Sequence, residues 1–491
     1  MGMPYSRTMF GLLCEQAARD PAHIAVIDGG RQLSYSELAD GSARLASSLR
    51  AQGVNRGDRV GLLLNNRAEW LEACFGIMAL GAVAVPFSTW SRPAELEFLL
   101  VDSEVTGVIA VGEFAGQDFA AALACLAGAA RLRFVVMLGG TLQPGWIAYE
   151  SFRDSAAPLP PLAPGDGASA GDDALVLYTS GSSARPKAVR LTQHALIENG
   201  FNIGERMGLT ADDRVLLAPP LFWSYGAANA LPATLSHRAT LVLQPRFDPG
   251  EWIGLVERHR VSAVYTLPSM TGAVLRHPEF RRERTRSLRT GLMIGSPEEV
   301  RIAAEELGAA QICNIYGATE TYGNCAVTPH DWPLDRRMEG QGPPLPGVHL
   351  RIVDPETGSG LPAGVSGAIE VAGYVTPGYS GISAAGNEAA FTADSYFRTG
   401  DIGFLDAEGG LHFVARGADI IKRAGINVSP AEVESLLLAH PAVAQAAVVG
   451  APAGELGEAI VAFVVARPGM MATPAALQAH CRRIASSYKV P

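Results

Sequence analysis

Short apolar segments typical of buried strands alternate with amphipathic segments typical of helices along most of this chain. Ser34 and Glu37 form a capping-box pattern ahead of one helix, and a second helix is expected from about Glu69. Apolar runs at residues 60–64 and 82–85 lie on either side of that second helix and predict strands. Strand, helix and strand in this order predict parallel sheets covered by helices, so the expected fold class is α/β.

The chain has 491 residues, which is too long for one ordinary hydrophobic core. The pattern changes after the first 415 residues, where a new helix start is predicted at residues 430–438 ahead of two apolar strands. We therefore expect a large multi-lobed N-terminal domain at residues 1–415, with parallel or mixed sheets covered by helices. A small, mobile α+β C-terminal domain is expected at residues 416–491. The Pro- and Gly-rich stretch at residues 155–172 is interpreted as a surface loop within the large domain.

Composition excludes several classes of function. The formal net charge is −10, which argues against a nucleic-acid-binding surface, because such surfaces depend on clustered Lys and Arg. The six cysteines show no CxxC pairing and no metal-ligand spacing, as expected for reduced thiols. No signal-peptide core is present, and the most membrane-like run, residues 75–87, is shorter than the roughly 20 residues that span a membrane. We expect a cytoplasmic protein with no nucleic-acid or membrane partner.

The most informative motif is the run LVLYTSGSSARPKAV at residues 175–189. An apolar strand leads into a loop of small hydroxyl residues, which contains Gly181 and ends in the cation Lys187. Such a loop can offer backbone N–H groups, hydroxyls and one positive charge to a polyphosphate. It lacks the second glycine before the lysine and the Ser or Thr after it that a Walker A loop has. Taken alone, the motif is compatible with either a phosphate site or an ordinary turn.

The same stretch resembles the phosphate-binding signature of the adenylate-forming superfamily, which includes acyl- and aryl-CoA synthetases, adenylation domains of peptide synthetases, and luciferases. Two residues depart from the family pattern, since Ala184 and Ala188 stand where the family usually has glycine. The resemblance implies that the β- and γ-phosphates of ATP are held by Thr179, Ser180, Gly181, Ser182, Ser183 and Lys187.

Further motifs match this family in the same order along the chain. The run NIYGATE at residues 314–320 resembles its second signature, in which Tyr316 and Gly317 lie near the adenine. By the same resemblance Thr319 contacts the α-phosphate and Glu320 holds Mg²⁺, a metal that prefers hard oxygen ligands such as carboxylates.

Two other segments complete the implied nucleotide site. Residues Gly295, Ser296 and Pro297 lie where similar enzymes wrap the adenine. The run YFRTGD, which ends at Asp401, resembles the ribose-binding motif, with Asp401 accepting both ribose hydroxyls and Arg416 assisting. The matches around Gly342–Gly347 and at Gly378 with Tyr379 are interpreted as turns.

The predicted C-terminal domain begins with a segment similar to the family's hinge and first strand. The hinge position is Ala418, where the family commonly has Asp or Lys. Gly425 and Asn427 lie where similar enzymes approach the pantetheine arm of CoA. The family's catalytic lysine follows a sequence similar to the YKVP that ends here at Pro491. We interpret this as a sequence that stops before that lysine, with an enzyme that lacks the lysine as the alternative.

The acyl-binding region is expected around residues 219–226, where Trp223 replaces a histidine that is common in the family. Peptide-synthetase domains use an Asp in this region to hold an amino group, and none is present, which disfavours an amino-acid substrate. An apolar acyl or aryl group is therefore expected. Trp223 as a core residue away from the ligand is the alternative. The predicted pocket residues are Phe222, Trp223, Gly226, Tyr322 and Gly323.

Together these matches identify the chain as a member of the adenylate-forming superfamily, in the acyl- and aryl-CoA synthetase branch. The implied activity is ATP- and Mg²⁺-dependent activation of an apolar acyl, alicyclic or aryl acid to acyl-AMP, followed by transfer to coenzyme A. The expected catalytic residues are Thr179, Lys187, Thr319, Glu320 and Asn427.

Three rival functions stay open on the sequence alone. The first is an enzyme that loads an acyl carrier protein instead of CoA, and the second is a luciferase-like oxygenase. The third is a member that binds nucleotide without forming an adenylate. One basic cluster is interpreted as a solvated surface, with a CoA-phosphate site as the alternative: Arg281, Arg282, Arg284, Arg286 and Arg289.

Overall fold

The computed structural model describes residues 2–126, 128, 131–159, 167–179, 185–416, 421–454 and 457–491. Several residues singled out in the sequence lie outside the described residues, namely Ser180, Gly181, Ser182, Ser183, Ala184 and the hinge residue Ala418.

The strands, numbered in chain order, are β1 Ile24–Asp28, β2 Arg31–Ser34, β3 Arg59–Leu63, β4 Val83–Pro86, β5 Gly107–Val111, β6 Glu113–Phe114, β7 Gln117–Asp118, β8 Phe134–Leu138, β9 Ile147–Ala148, β10 Asp173–Thr179, β11 Lys187–Thr192, β12 Arg214–Leu217, β13 Thr240–Leu243, β14 Ala263–Tyr265, β15 Thr290–Met293, β16 Gln311–Tyr316, β17 Ala326–Val327, β18 His349–Val353, β19 Gly367–Ala372, β20 Tyr379–Ser380, β21 Phe397–Leu405, β22 Leu411–Arg416, β23 Ile421–Arg423, β24 Ile426–Val428, β25 Val443–Pro452 and β26 Glu458–Ala466.

The α-helices are α1 Met9–Arg19, α2 Tyr35–Ala51, α3 Ala68–Ala79, α4 Pro93–Asp102, α5 Phe119–Leu126, α6 Tyr149–Asp154, α7 Gln193–Met207, α8 Leu231–Ser236, α9 Pro249–His259, α10 Pro268–Leu275, α11 Pro297–Ile302, α12 Leu334–Glu339, α13 Asn387–Ala390, α14 Pro430–Leu438 and α15 Pro474–Ile484. A π-helical turn spans Tyr225–Ala230, and short 3₁₀ turns include Thr319–Thr321 and Ser487–Lys489. Across the described part of the chain, none of the helices combines the length and the apolar character needed to cross a membrane.

Two eight-stranded sheets form the framework of the large region. The first has the order β17-β16-β15-β14-β12-β13-β1-β2 and is parallel except where β17 and β2 pair at its ends. The second has the order β20-β11-β10-β4-β3-β5-β8-β9, with β11 and β20 antiparallel to their neighbours. Central strands such as β5 are buried along their whole length, which explains their continuous apolar sequences. The expected α/β fold with parallel and mixed sheets is confirmed.

Local signals in the sequence correspond closely to these elements. The Ser34 hydroxyl accepts a hydrogen bond from the Glu37 backbone N–H, and the Glu37 carboxylate accepts one from the Ser34 N–H, so the capping box is confirmed. The strands expected at residues 60–64 and 82–85 are β3 and β4, and the helix expected from Glu69 is α3.

The C-terminal segment has a hydrophobic core of its own. The hairpins β23–β24 and β25–β26 pack with α14 and α15 around a separate buried cluster: Ile421, Val428, Val433, Leu437, Val443, Val448, Ile460, Leu477, Cys481 and Val490. A smaller C-terminal domain is therefore present, with the expected mixture of helices and antiparallel strands. The boundary between residues 415 and 416, and the mobility of this domain, stay predictions.

Buried charges join the C-terminal segment to the large domain. The Lys489 ammonium donates to Glu95 Oε1 of α4 at 2.7 Å and to Glu432 Oε1 of α14 at 2.8 Å. The Ser486 hydroxyl lies 2.8 Å from Glu95 Oε2. Burial by itself lowers the pKa of Lys489, but Tyr488, Glu432 and Glu95 outweigh it, so the pKa is raised above the ordinary lysine value. The side chain therefore carries a positive charge at neutral pH.

We predict that Lys489→Met lowers the free energy of unfolding by about 2 kcal/mol, because it leaves two largely buried carboxylates unpaired. Since the pKa of Lys489 is raised, this stabilisation is fully present below about pH 10.4 as long as Glu95 and Glu432 are ionised, and on the alkaline side it is lost as the pH rises through the folded-state pKa of Lys489. Denaturant unfolding at pH 7 measures the effect, with exposed Arg482→Met as the control. Equal stability of the two variants would contradict the prediction.

Candidate active site

A cavity of about 970 Å³ lies between the large region and the C-terminal segment. Much of its wall is built from the end of β10 and from loops at the carboxyl ends of β12, β14, β15 and β16, the edge at which α/β sheets usually bind ligands. Predicted site residues that line it are Thr179, Lys187, Trp223, Gly317, Thr319, Glu320, Gly323, Asp401, Arg416 and Gly425. These residues are spread over nearly 250 positions of the chain, so the fold brings them together.

The expected ribose residue, Asp401, is a buried carboxylate with two charge-stabilising partners. It lies opposite Arg416 in the antiparallel pair of β21 and β22, and Oδ1 accepts a hydrogen bond from Arg416 Nε at 3.0 Å. Its Oδ2 accepts from the Tyr316 hydroxyl at 2.7 Å. Asp401 is only 4% exposed but reaches the cavity, so these two contacts hold its orientation. A carboxylate oriented in this way can accept hydrogen bonds from neighbouring hydroxyl groups, as a ribose would supply.

Tyr316 supports this carboxylate from the end of β16. Its ring stacks on Phe413 with a centroid distance of 5.8 Å, and its side chain is not among the described residues of the cavity wall. Burial and the adjacent Asp401 hold the pKa of Tyr316 well above its ordinary value, so the hydroxyl stays neutral and donates. The structure thus places Tyr316 in contact with Asp401 and outside the described cavity wall, whereas the sequence suggested a position near the adenine.

Thr179 and Lys187 bracket the expected phosphate loop. They face each other in the antiparallel pair of β10 and β11, at the two ends of the undescribed residues 180–184. The Lys187 ammonium lies 5.1 Å from the centroid of the Tyr379 ring, within cation–π range. Both Thr179 and Lys187 line the cavity, so the hairpin directs a hydroxyl and a positive charge toward the same space.

Glu320 and Thr319 lie in the turn that follows β16. Glu320 Oε1 accepts a hydrogen bond from the Tyr379 hydroxyl at 3.0 Å, and Thr319 donates to the Ser224 hydroxyl at 3.0 Å. Burial and the neighbouring Glu320 raise the pKa of Tyr379 above its ordinary value, so it is a neutral donor. Tyr379 therefore contacts both the expected metal ligand Glu320 and the expected phosphate ligand Lys187.

The carboxylate of Glu320 has the chemistry that magnesium prefers. Among the described residues there is no group of three or more His, Cys, Asp or Glu that could enclose a metal ion. Mg²⁺ commonly binds one or two carboxylates together with substrate phosphates and water. Glu320 alone therefore fits a magnesium ion that arrives with a nucleotide.

The loop expected to wrap the adenine follows β15. The Asn314 amide ties it to the sheet, since Nδ2 donates to the Gly295 carbonyl at 3.3 Å. Ser296 caps α11 and is exposed, as is Pro297. Ile294, rather than these three residues, lines the cavity. The loop therefore lies at the rim.

The C-terminal segment contributes the turn of the β23–β24 hairpin. Gly425 lines the cavity with a φ of +81°, and a side chain there would come 2.8 Å from Leu267 Cδ1. The Ser269 hydroxyl donates to the Ala424 carbonyl at 3.4 Å. The backbone of Asn427 pairs with Lys422 in this hairpin, whereas the Asn427 side chain lies outside the described part of the structure. The small domain thus closes one side of the cavity.

The predicted acyl-pocket residues divide into two groups. Trp223 and Gly323 line the cavity, whereas Phe222, Gly226 and Tyr322 are not among the described residues of its wall. Phe222 is buried against Trp90, with ring centroids 5.3 Å apart. A side chain on Gly226 would come 2.5 Å from the Pro220 carbonyl, so this glycine serves close packing.

Tyr322 differs most from its expected role. It is 1% exposed, and its hydroxyl accepts a hydrogen bond from the Thr192 N–H at 3.0 Å. Its φ of +56° turns the backbone so that the side chain packs away from the cavity wall and toward β11. This conformation explains why Tyr322 does not line the cavity, although the next residue, Gly323, does.

Comparison with known proteins identifies the family. Residues 13–380 match the profile described as AMP-binding enzyme, and residues 432–491 match the AMP-binding enzyme C-terminal domain. The chain belongs to the AMP-binding enzyme family. The expected placement in the acyl-CoA synthetase branch of the adenylate-forming superfamily is confirmed.

Relatives of this AMP-binding enzyme include feruloyl-CoA synthase from Amycolatopsis sp, which is 35% identical over 482 residues, covering 97% of this chain and 92% of the relative. A double mutant of o-succinylbenzoate CoA synthetase from Bacillus subtilis, bound with its product analogue OSB-NCoA, superposes with a TM-score of 0.83 at 27% identity, covering 98% of this chain and 93% of that one. The same synthetase in complex with the acyl-adenylate intermediate OSB-AMP gives a TM-score of 0.70 at 27% identity and the same coverage.

The basic cluster of this AMP-binding enzyme lies away from the cavity. Arg284 pairs with Glu257 and Glu279, and Arg289 pairs with Asp213. The other members, Arg281, Arg282 and Arg286, are exposed. The interpretation as a solvated surface, with a CoA-phosphate site as the alternative, stays a prediction.

Several cavity residues were not predicted as site residues, and three of them carry polar side chains close to the predicted ones. Ser224 follows Trp223 directly, Tyr379 was interpreted as part of a turn, and Asn324 follows Gly323. Tyr379 had a detectable signal, because it belongs to a stretch that matched the family. Ser224 and Asn324 had no signal beyond their neighbours.

We predict that Asp401→Asn weakens AMP binding by about 10- to 100-fold, because it removes a charged hydrogen-bond acceptor from the expected ribose site. Isothermal titration with AMP measures the dissociation constant. Asp394→Asn is the matched control, since Asp394 makes an exposed ion pair with Arg351 and does not line the cavity. An unchanged affinity in Asp401→Asn would contradict the ribose assignment.

Proposed function

We propose that this protein is an ATP-dependent acid–CoA ligase that forms an acyl-adenylate and transfers the acyl group to coenzyme A. The observation that carries the proposal is the meeting of three groups in one cavity. The first is Asp401, held by Tyr316 and Arg416. The second consists of Lys187, Thr319 and Glu320. The third is the turn at Gly425 in the C-terminal segment. The curated relatives with acyl-CoA ligase activity support it.

In the first half-reaction, an oxygen of the acid's carboxylate attacks the α-phosphorus of ATP. The bond from that phosphorus to the bridging oxygen breaks, and pyrophosphate leaves with the electron pair. Lys187 and Thr319 bind phosphate oxygens and stabilise charge that develops on them. A magnesium ion on Glu320 would neutralise additional phosphate charge. Tyr379 orients both the Glu320 carboxylate and the Lys187 ammonium through the contacts described above.

In the second half-reaction, the CoA thiolate attacks the acyl carbonyl carbon, and the bond to the AMP oxygen breaks. The Gly425 turn lies at the cavity wall, where a glycine lets a narrow ligand approach the backbone closely. The better superposition on the form bound with the CoA product analogue supports an arrangement of the two domains suited to this half-reaction. Rotation of the small domain about the hinge position Ala418 would admit the CoA thiol to the adenylate for this half-reaction.

The substrate acid is proposed to have an apolar acyl, alicyclic or aryl body. Trp223, Leu267 and Ile294 supply an apolar wall. An acyl carrier protein in place of CoA is the alternative acceptor for the same chemistry.

We predict acid-dependent release of pyrophosphate from ATP, with a CoA thioester as product. The measurement uses the full-length protein, with any residues that follow Pro491, and a panel of fatty, alicyclic and aryl acids. Parallel reactions with CoA and with a phosphopantetheinylated carrier protein identify the acceptor. Nucleotide binding without pyrophosphate release from any acid would contradict the proposal and favour a member that only binds nucleotide.

We predict that Glu320→Gln lowers the rate of acid-dependent pyrophosphate release by about 100-fold or more, because a metal-binding charge is lost. Tyr379→Phe should lower it by about tenfold, since only one orienting hydrogen bond is removed. Tyr374→Phe is the matched control, because the Tyr374 hydroxyl also donates to a carboxylate, Glu198 Oε2 at 2.6 Å, but lies outside the cavity wall. Equal rates in Tyr379→Phe and Tyr374→Phe would show that the Tyr379 hydroxyl does not contribute to adenylate formation.

A further inference from the structure

Residues 486–489 of the C-terminal segment contact the large domain through three side chains. The Ser486 hydroxyl lies within hydrogen-bond distance of two acceptors, the Trp90 carbonyl at 2.9 Å and Glu95 Oε2 at 2.8 Å. The Tyr488 ring meets the Trp90 ring edge-on, with centroids 5.8 Å apart. The Lys489 ammonium donates to Glu95 Oε1. We call residues 486–489 the docking segment.

The polar contacts of the docking segment are largely removed from water. The side chains of Lys489 and Glu95 are 7% and 16% exposed, and Ser486 is 1% exposed. Hydrogen bonds between ionised groups are stronger than neutral ones, and a buried charge that loses its partner is costly. The docking segment therefore favours one arrangement of the two domains over neighbouring arrangements that keep these charges buried but separate them.

The two carboxylates that accept from Lys489 belong to different domains. Glu432 lies on α14, whose Leu437 shares the buried cluster of the C-terminal segment with Val490. Glu432 therefore moves together with Lys489 when the small domain moves. Glu95 lies on α4 of the large domain, so a rotation that carries the docking segment away breaks the contact with Glu95 and keeps the contact with Glu432.

The large domain holds the Glu95 carboxylate in place. Its Oε2 accepts a hydrogen bond from the Arg92 N–H at 2.9 Å, immediately before the first residue of α4, Pro93. This contact lies within the large domain, so it does not depend on the docking segment. An acceptor that is already oriented lowers the entropy lost when the docking segment binds.

A second contact between the domains lies at the cavity and is weaker. The Ser269 hydroxyl donates to the Ala424 carbonyl at 3.4 Å, next to the Gly425 turn in the cavity wall. This bond is long and neutral, whereas the docking segment supplies an ionic contact. The docking segment also lies close to the acid wall, because the rings of Trp90 and Trp223 are 5.1 Å apart.

We infer that Glu95 is a positioning residue for thioester formation, because it holds the small domain, through Lys489, in the arrangement that places the Gly425 turn at the cavity. This inference rests on the proposed ligase function, since it assigns one domain arrangement to the CoA half-reaction. Glu95 acts through Lys489 and not on the reacting atoms. Loss of its charge lowers the population of the docked arrangement, so the thioester half-reaction slows and the adenylation half-reaction does not.

The test measures the two half-reactions separately in the full-length protein, with any residues that follow Pro491. Pyrophosphate release without CoA reports adenylate formation from the most active acid of the panel above. A single-turnover reaction of the synthetic acyl-AMP of that acid with CoA reports thioester formation. Glu95→Gln keeps an oxygen for the Arg92 N–H and removes the charge. We expect thioester formation to slow by about tenfold and adenylate formation to change by less than about twofold.

Two further variants separate positioning from loss of stability. Glu432→Gln removes the other carboxylate of the same ammonium, but from within the small domain, so it should keep the wild-type ratio of the two rates. In a Lys489→Met background, Glu95→Gln should change thioester formation by less than about twofold, since the contact is already absent.

Hydrogen–deuterium exchange supplies a readout that does not depend on activity. The docking segment is remote in sequence from Glu95, so its amide protons report docking and not a local effect of the substitution. We expect the peptide covering residues 486–491 to exchange about tenfold faster in Glu95→Gln than in the wild-type protein, because the segment is released from α4.

Several results would overturn the inference. Equal slowing of both half-reactions in Glu95→Gln and Glu432→Gln would show a loss of stability only. Since Glu95 lines the cavity, slower thioester formation without faster exchange would show that it acts on the ligand directly. Slower adenylate formation alone would assign the docked arrangement to the other half-reaction, and unchanged rates would leave Glu95 without a positioning role.

Failure of the proposed function gives a different result. Absence of pyrophosphate release and of ligation with every acid would overturn the ligase function together with the thioester role of Glu95. The exchange measurement would still show whether Glu95 holds the docking segment against the large domain.

Discussion

Parallel strands place their carboxyl ends along one edge of a sheet, because each connection must return to the starting edge before the next strand begins. This constraint puts the ends of β12, β14, β15 and β16 side by side. The loops that leave these ends carry Trp223, Leu267, Ile294 and Glu320, which have no proximity in sequence. The cavity therefore depends on strand direction before it depends on any individual side chain.

Within this frame, the polar groups of the cavity differ in how completely the protein satisfies them. Asp401 has two partners inside the protein, which hold it ready to accept further hydrogen bonds. Glu320 is oriented by Tyr379. Asn324, in contrast, has an amide that no described residue satisfies. Asp401 and Glu320 suit a polar, charged nucleotide, whereas the amide of Asn324 lies buried in the protein interior.

Much of the fold could be predicted from local signals. The Ser34 capping box and the apolar strands β3 and β4 depend on neighbouring residues, so their pattern is legible in the chain itself. Predictions for individual site residues were less uniform. Thr319 and Asp401 line the cavity as expected, but Tyr316 supports Asp401 from behind. Motif position indicates which segment approaches the ligand, yet backbone dihedrals and packing decide which side chain of the segment reaches it.

The sequence by itself determined the α/β class, the family and the order of the nucleotide-binding motifs, because periodicity and short motifs are local properties. Only the tertiary structure decided that Tyr379 joins Glu320 to Lys187, since these residues come from three separate strands or turns. The same holds for the buried asparagines Asn199, Asn229 and Asn324, which are single polar residues without a distinctive motif. Whether a buried amide has a partner depends on every element packed around it, and no local pattern encodes that arrangement.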